Sequence, residues 1–248
     1  MMSNSQPERF SPLLLARIAG IAGLLGIATG AFDIGYVHSI VIVAGNPTAT
    51  LHNILAHEML FRMGFSAHLF ELLLNIVGEI ISFYLFWRVN VVVAGISLCA
   101  GILGMATEAF ALLVAYVPLQ LAVGGSALGA FSPEQLHALV QFSAQLQPAA
   151  LLLSWAFYGL DELTGGFLIF RSGFLPRVLG ILLGISGACY LTNGFLSFLA
   201  PALDARIGSY LSFACLPGEL LSSLWLATVG LNVAKWRAWS SAEAEFAK

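Results

Sequence analysis

The 248-residue chain is 59% hydrophobic and 9% charged, with a formal net charge of −3 at pH 7, and its mean hydropathy is +0.90. A soluble domain carries about 25% charged residues, so 10 basic and 13 acidic side chains cannot cover a globule of this length, and the chain belongs in a membrane. The same figures exclude nucleic-acid binding, which needs a basic surface, disorder, which needs low hydrophobicity, and a disulfide scaffold, because Cys99, Cys189 and Cys215 lie inside apolar runs as packing residues.

Roughly 20 apolar residues cross a hydrocarbon core about 30 Å thick. Six stretches meet this requirement: 13–40, 65–87, 91–117, 149–170, 178–199 and 211–233. The expected fold is all-α, one transmembrane domain over 1–248 built as a bundle of six helices, with 234–248 as a cytoplasmic tail. Ser11-Pro12 suits the start of the first span. Arg17 and the long apolar run behind it favour a retained helix over a cleaved signal peptide.

Two outer connections carry helical patterns. Thr48–Met63 predicts a short helix against the outer interface before the second span. Pro118–Pro148 holds a Gly-rich turn (Gly124, Gly125, Gly129), then Ser132 as N-cap with Gln135 at N3, a capping box. Pro148 is expected to kink or end that helix where it meets the fourth span. Gly20, Gly23, Gly26 and Gly30, and again Gly180, Gly184 and Gly187, form small-residue stripes that let helices approach closely.

With the N-terminus in the cytoplasm, Arg9, Arg17, Arg88, Arg171, Arg177, Lys235, Arg237 and Lys248 lie inside and only Arg62 and Arg206 outside. This positive-inside bias places both termini in the cytoplasm and the chain in the cell membrane. Trp236 and Trp239 are expected to anchor the inner interface.

Seven carboxylates fall inside the spans: Asp33, Glu71, Glu79, Glu108, Asp161, Glu162 and Glu219. Ionisable groups there are costly and mark functional sites by default. At about 1.5 Å per residue, Asp33 lies about 10 Å and Glu71 roughly 9 Å outward of their span centres. On the same scale Glu108 and Glu219 lie roughly 5 Å outward, and Glu79, Asp161 and Glu162 within about 3 Å of the midplane. His38, His52, His57, His68 and His137 also fall in the outer half or outer connections. The pattern describes a polar interior open toward the outer face, above an apolar inner half.

On the second span, His68, Glu71, Asn75, Glu79 and Ser82 follow one another at spacings of 3, 4, 4 and 3, one helical face. The fourth span offers Ser154, Tyr158, Asp161 and Glu162, and the sixth Ser212, Glu219 and Ser222 or Ser223. Two carboxylates in a dry site cannot both ionise, so one becomes an acid near neutral pH, and a histidine can return the proton. The candidate acid–base groups are Glu71, Glu79, His68, Asp161, Glu162 and Glu219. Asp33, Asn75, Glu108, Tyr158 and Arg62 are candidates for binding the substrate. Hydrogen-bonded carboxyls also hold bundles together, which is the competing role for any single residue. A metal has little support: His52 and His57 are five apart and Ala56-His57-Glu58-Met59-Leu60-Phe61 is no H-E-x-x-H. No cofactor is expected.

Several strings together resemble a bacterial family of six-span membrane proteins known only as a domain of unknown function. They are RIAG at 17–20, NILAHEMLFRMGF at 53–65, FSPEQL at 131–136, FLIFRSGFLPRVLG at 167–180 and PGELLSSLWL at 217–226. In that family an aspartate is usual where His68 stands and a histidine where Asp161 stands. The exchange implies a facing acid–histidine pair between the second and fourth spans. A family histidine near Gln147 is absent here, whereas Glu219 fits a Gly-Glu-Leu element and Arg62 a Leu-Phe-Arg element.

The residues thus point to an intramembrane acid–base enzyme acting on a lipid or isoprenoid, for example by cyclisation or isomerisation. The alternatives are a proton-coupled transporter or hydrophobic-ligand-binding protein, and a scaffold without catalysis. The expected partners are membrane lipids and a hydrophobic small molecule.

Overall fold

A computed structural model describes residues 10–43, 45–124 and 131–246; Arg9, Gly125, Gly129 and Lys248 lie outside them. The described residues are helical throughout, with no strand among them. Helix α1 (Pro12–Gly30) runs into a π-helical turn at Ala31–Val37 and a short α2 (His38–Val41). Next come α3 (Pro47–Ala56), α4 (Glu58–Phe86), α5 (Val91–Val123), α6 (Pro133–Ser172), α7 (Arg177–Leu199), α8 (Pro201–Thr228) and α9 (Val233–Phe246). Five of these segments are long and apolar enough to cross a membrane: Pro12–Val41, Glu58–Phe86, Val91–Leu121, Arg177–Leu199 and Pro201–Thr228. Helix α6 is not among the five, because Asp161, Glu162 and its polar first half dilute its apolar character.

The ends are set by local chemistry. Asn90 caps α5 by accepting from Val93 N at 3.0 Å. At α6, Ser132 accepts from Gln135 N while Gln135 accepts from Ser132 N, the full capping box. Pro148 does not end α6, which continues through it. A helix tolerates this where the interruption is packed by neighbours or lines a cavity; α5 and α7 both pack against α6, and Pro148 lines a cavity. The expected interface helix at Thr48–Met63 is split at His57, so Glu58–Met63 already belongs to α4.

The two ends of the bundle differ. Where α1 begins and α8 finishes, Ile81, Leu85, Phe86, Leu168, Ile169, Phe174, Leu175, Leu179 and Trp236 form the largest buried apolar cluster. Trp236 is part of this seal and not a free interface anchor: its indole donates to Leu85 O at 3.0 Å and it is 2% exposed. Trp239 likewise donates to Ser172 O at 2.8 Å. At this terminus end Asn232 N also bonds Phe174 O, tying α9 to the turn that joins α6 to α7. The opposite, far end holds α2, α3 and the start of α6.

Glycine stripes set the helix spacing. A Cβ on Gly180 would stand 2.6 Å from Gly166 O and 2.7 Å from Phe170 N, so α7 touches the backbone of α6 there. At Gly184, on the same helix, a Cβ would meet nothing within 4 Å. Gly180→Ala is therefore expected to cost about 1–3 kcal/mol through forced separation. Gly184→Ala should be neutral or stabilising, since alanine is preferred in helices by up to about 1 kcal/mol. Thermal unfolding in detergent, followed by tryptophan fluorescence, checks the ordering.

Candidate functional site

The polar groups gather around the π-helical turn. Inside it the N–H of His38 bonds to Asp33 O, five residues back. On an α-helix residues five apart diverge by about 140°, but the wider turn stacks them, so His38 Nε2 stands 3.9 Å from Asp33 Oδ1. Such turns are frequent at functional sites.

From Asp33 a chain of contacts crosses the bundle. Asp33 Oδ2 lies 2.8 Å from His68 Nδ1 on α4, and His68 Nε2 lies 3.3 Å from Glu108 Oε1 on α5. Tyr158 of α6 donates its hydroxyl to Glu108 Oε2 at 2.6 Å. The side chains of Asp33, His68 and Glu108 are 5%, 4% and 8% exposed. Both ring nitrogens face carboxylate oxygens, so two hydrogen bonds require either an imidazolium or one protonated carboxyl. The group therefore holds a proton that can change owner without atoms moving far.

Two further groups lie along the bundle. Glu79 faces Asp161 within hydrogen-bond reach, and Ser97 donates to Asp161 Oδ1 at 2.5 Å. Glu162 faces Glu219, with Tyr190 of α7 beside Glu219. Carboxyls paired this way must share a proton. Glu162 Oε2 and Glu219 Oε1 are buried without a hydrogen-bond partner among the described residues. Glu71 Oε2 is also buried without a partner, with its carboxylate pressed against Gly30 of α1, and Asn75 Oδ1 lies against Gly26.

The structure brings together ten of the eleven sequence candidates, as three linked groups: Asp33, His68, Glu108 and Tyr158, with Glu71 and Asn75 alongside; Glu79 and Asp161; and Glu162 and Glu219. Arg62 stands apart at the far end, bonded to Glu58 at 2.7 Å and donating to Tyr116 at 2.6 Å. The facing pair of His68 and Asp161 is absent, because Asp33 and Glu108 occupy both nitrogens of His68 and Asp161 is taken by Ser97 and Glu79. The two are linked through Glu108 and Tyr158, one helical turn from Asp161.

Sequence reasoning missed His38, Ser97 and Tyr190, and it missed three glycines that make room for polar side chains. A Cβ on Gly64 would collide with Asp33 Oδ1, on Gly101 would stand 2.7 Å from the Glu79 carboxyl carbon, and on Gly104 2.8 Å from the Tyr158 ring. Each lies beside a span carboxylate or its partner, and that juxtaposition becomes visible only once the helices are rotated into place.

A cavity of about 230 Å³ opens at the far end between α2, α3, α5 and α6. Ile54, Phe61, Val114 and Val140 make much of its wall, and His38 sits in it, joining it to Asp33. Among the described residues no group of three or more His, Cys, Asp or Glu side chains is arranged to hold a metal ion.

Comparison with known proteins gives a match to a family model described as a domain of unknown function (DUF4386), over residues 18–230. An uncharacterized protein of Archaeoglobus fulgidus is 31% identical over 101 residues, 41% of this chain and 56% of that protein. The chain thus matches little more than half the length of that relative, whose archaeal source lends no support to a bacterial restriction. No solved structure matches.

Removing His68 leaves Asp33 and Glu108 buried without their partner. His68→Ala is expected to cost about 3–5 kcal/mol, the range for breaking a buried charged pair. Adding Asp33→Asn to it should recover part of that loss, read from the thermal midpoints of the single and double variants.

Proposed function

The chain belongs to the DUF4386 family, and we propose that it is an intramembrane acid–base enzyme acting on a lipid or isoprenoid substrate. The observation that carries this reading is the His68 imidazole held between Asp33 and Glu108 and joined through His38 to a cavity. An isomerisation or cyclisation delivers one proton to a carbon and removes one from another, so it balances without a co-reactant. His68 and Glu108 hold and move that proton, Asp33 orients His68, and Tyr158 fixes the second oxygen of Glu108. Glu71, Glu79, Asp161, Glu162 and Glu219 form the store behind them, with Asn75 beside Glu71. Arg62 stands apart from these groups at the far end, paired with Glu58 and Tyr116.

In this reading α6 is the sixth span. Support comes from its ends: its start packs near α3 at the far end, and its last turn is tied to α9 at the terminus end. It therefore covers the same depth as α5. Arg17, Arg88, Arg171, Arg177, Lys235 and Arg237 fall at the terminus end, which favours a cytoplasmic placement of that end in the cell membrane. Membrane lipids then surround the bundle.

A second reading, proton-coupled movement of an apolar ligand, is favoured by the pairs Glu79–Asp161 and Glu162–Glu219, which carry exchangeable protons past the first group. The apolar cluster that seals the terminus end weighs against it.

The test is incubation of the purified protein with a lipid and isoprenoid extract in D2O. Carbon-bound deuterium is expected in one lipid species, and Glu108→Gln should slow its appearance by about 100-fold or more, as for loss of a general acid–base group. No uptake into any lipid by the folded protein, or uptake untouched by both Glu108→Gln and His68→Asn, sinks the enzymatic reading. Proton flux driven by a ligand gradient in proteoliposomes, without deuterium uptake, would establish the transport reading in its place.

A further inference from the structure

Two helices carry a proline in their interior, Pro118 in α5 and Pro148 in α6. Proline has no N–H, so the carbonyl four residues earlier loses the donor that an α-helix gives it. Those carbonyls belong to Val114 and Ala144. Both residues, and both prolines, line the far-end cavity.

The rest of the wall narrows the chemistry. Gln141, Gln145, Gln147 and Asn46 contribute neutral hydrogen-bonding groups, and Ile42, Ile54, Phe61 and Val140 contribute apolar surface. Among the described lining residues His38 is the sole ionisable side chain, with no Lys, Arg, Asp or Glu. A phosphate or carboxylate headgroup placed here would find no counter-charge, and burying such a charge unpaired is costly. A hydroxyl, by contrast, finds acceptors that lack their helical donor. The space of about 230 Å³ takes the head end of a lipid chain.

We propose that this cavity binds a neutral lipid alcohol, its hydroxyl donating to one of the two proline-freed carbonyls, Val114 O or Ala144 O, and its first carbons lying beside His38. The proposal rests on the acid–base reading for the fate of the bound alcohol, since it names the substrate class of that site; the binding itself does not require the chemistry.

Farnesol serves as the probe, with the hydrocarbon farnesene and the anion palmitate as controls, in equilibrium binding to the purified full-length protein. Farnesol is expected to bind about tenfold more tightly than either control, the size of one well-made hydrogen bond. Pro148→Ala restores the amide donor to Ala144 O and favours the helix, so it should keep or raise the thermal midpoint. Where Ala144 O is the acceptor, it should also weaken farnesol binding about five- to tenfold while leaving farnesene unchanged. Pro118→Ala does the same for Val114 O, and at least one of the two single variants is expected to show the loss.

Equal affinity for farnesol and farnesene would overturn the proposal, as would wild-type farnesol binding by the Pro118→Ala/Pro148→Ala double variant. Tighter binding of palmitate than of farnesol would overturn the neutral class. Hydroxyl-dependent binding without deuterium uptake into lipid would keep the site and discard the enzyme; deuterium uptake untouched by the proline variants would do the reverse.

Discussion

A buried imidazole cannot stand between two carboxylates without a definite number of protons, and much of this bundle is organised around that requirement. His68 is 3% exposed in a segment long and apolar enough to span a membrane, where an uncompensated charge is expensive. Asp33 and Glu108 supply the compensation, and Tyr158 completes the second oxygen of Glu108. Four helical segments are thereby referred to one site: the π-turn after α1, then α4, α5 and α6. Helices α7 and α8 join the same layout through Tyr190 and the Glu162–Glu219 pair. The positions of the helices and the protonation of the site are coupled, because a change in proton count alters which helix-to-helix contacts are attractive.

Five of the six expected spans and the polar face of α4 were legible because both are properties of a single segment. Runs of apolar residues announce a crossing, and the spacing of His68, Glu71, Asn75 and Glu79 announces one face. Which neighbour each residue meets was not legible. The face is divided: His68 is taken by Asp33 and Glu108, Glu71 and Asn75 lie against glycines of α1, and Glu79 goes to Asp161. That division depends on how α1, α5 and α6 are rotated, which is set by where their small residues allow approach. Gly64, Gly101 and Gly104 decide it, and each taken alone is indistinguishable from a packing glycine.

The π-turn was hidden for a related reason. It changes the phase of α1 by one residue within Ala31–Val37, and hydropathy carries no trace of such a shift in a run that is apolar on nearly every side. Its effect is nevertheless decisive, since without it His38 would point away from Asp33. Helix α6 shows the converse. Its composition is diluted by the very carboxyls that matter, so Asp161 and Glu162 weaken the hydropathy signal of α6 while defining its inward face. Function and the legibility of the span compete for the same positions.

The contrast between the two ends of the bundle constrains how the site communicates with water. At the terminus end Leu85, Phe86, Leu168, Phe174 and Trp236 are packed together, and the Arg88 guanidinium that lies over the Trp236 ring keeps its proton. At the far end His38 stands in the cavity wall and 3.9 Å from Asp33, a gap one water molecule can bridge. The short route for a proton between the His68 group and solvent therefore runs through the cavity. On the proposed reading, a ligand seated there would take the place of solvent on this route, so binding and isolation of the proton would be the same event. An acid–base site of that kind would close itself when its ligand arrives, would need no separate lid, and would commit its proton to the ligand.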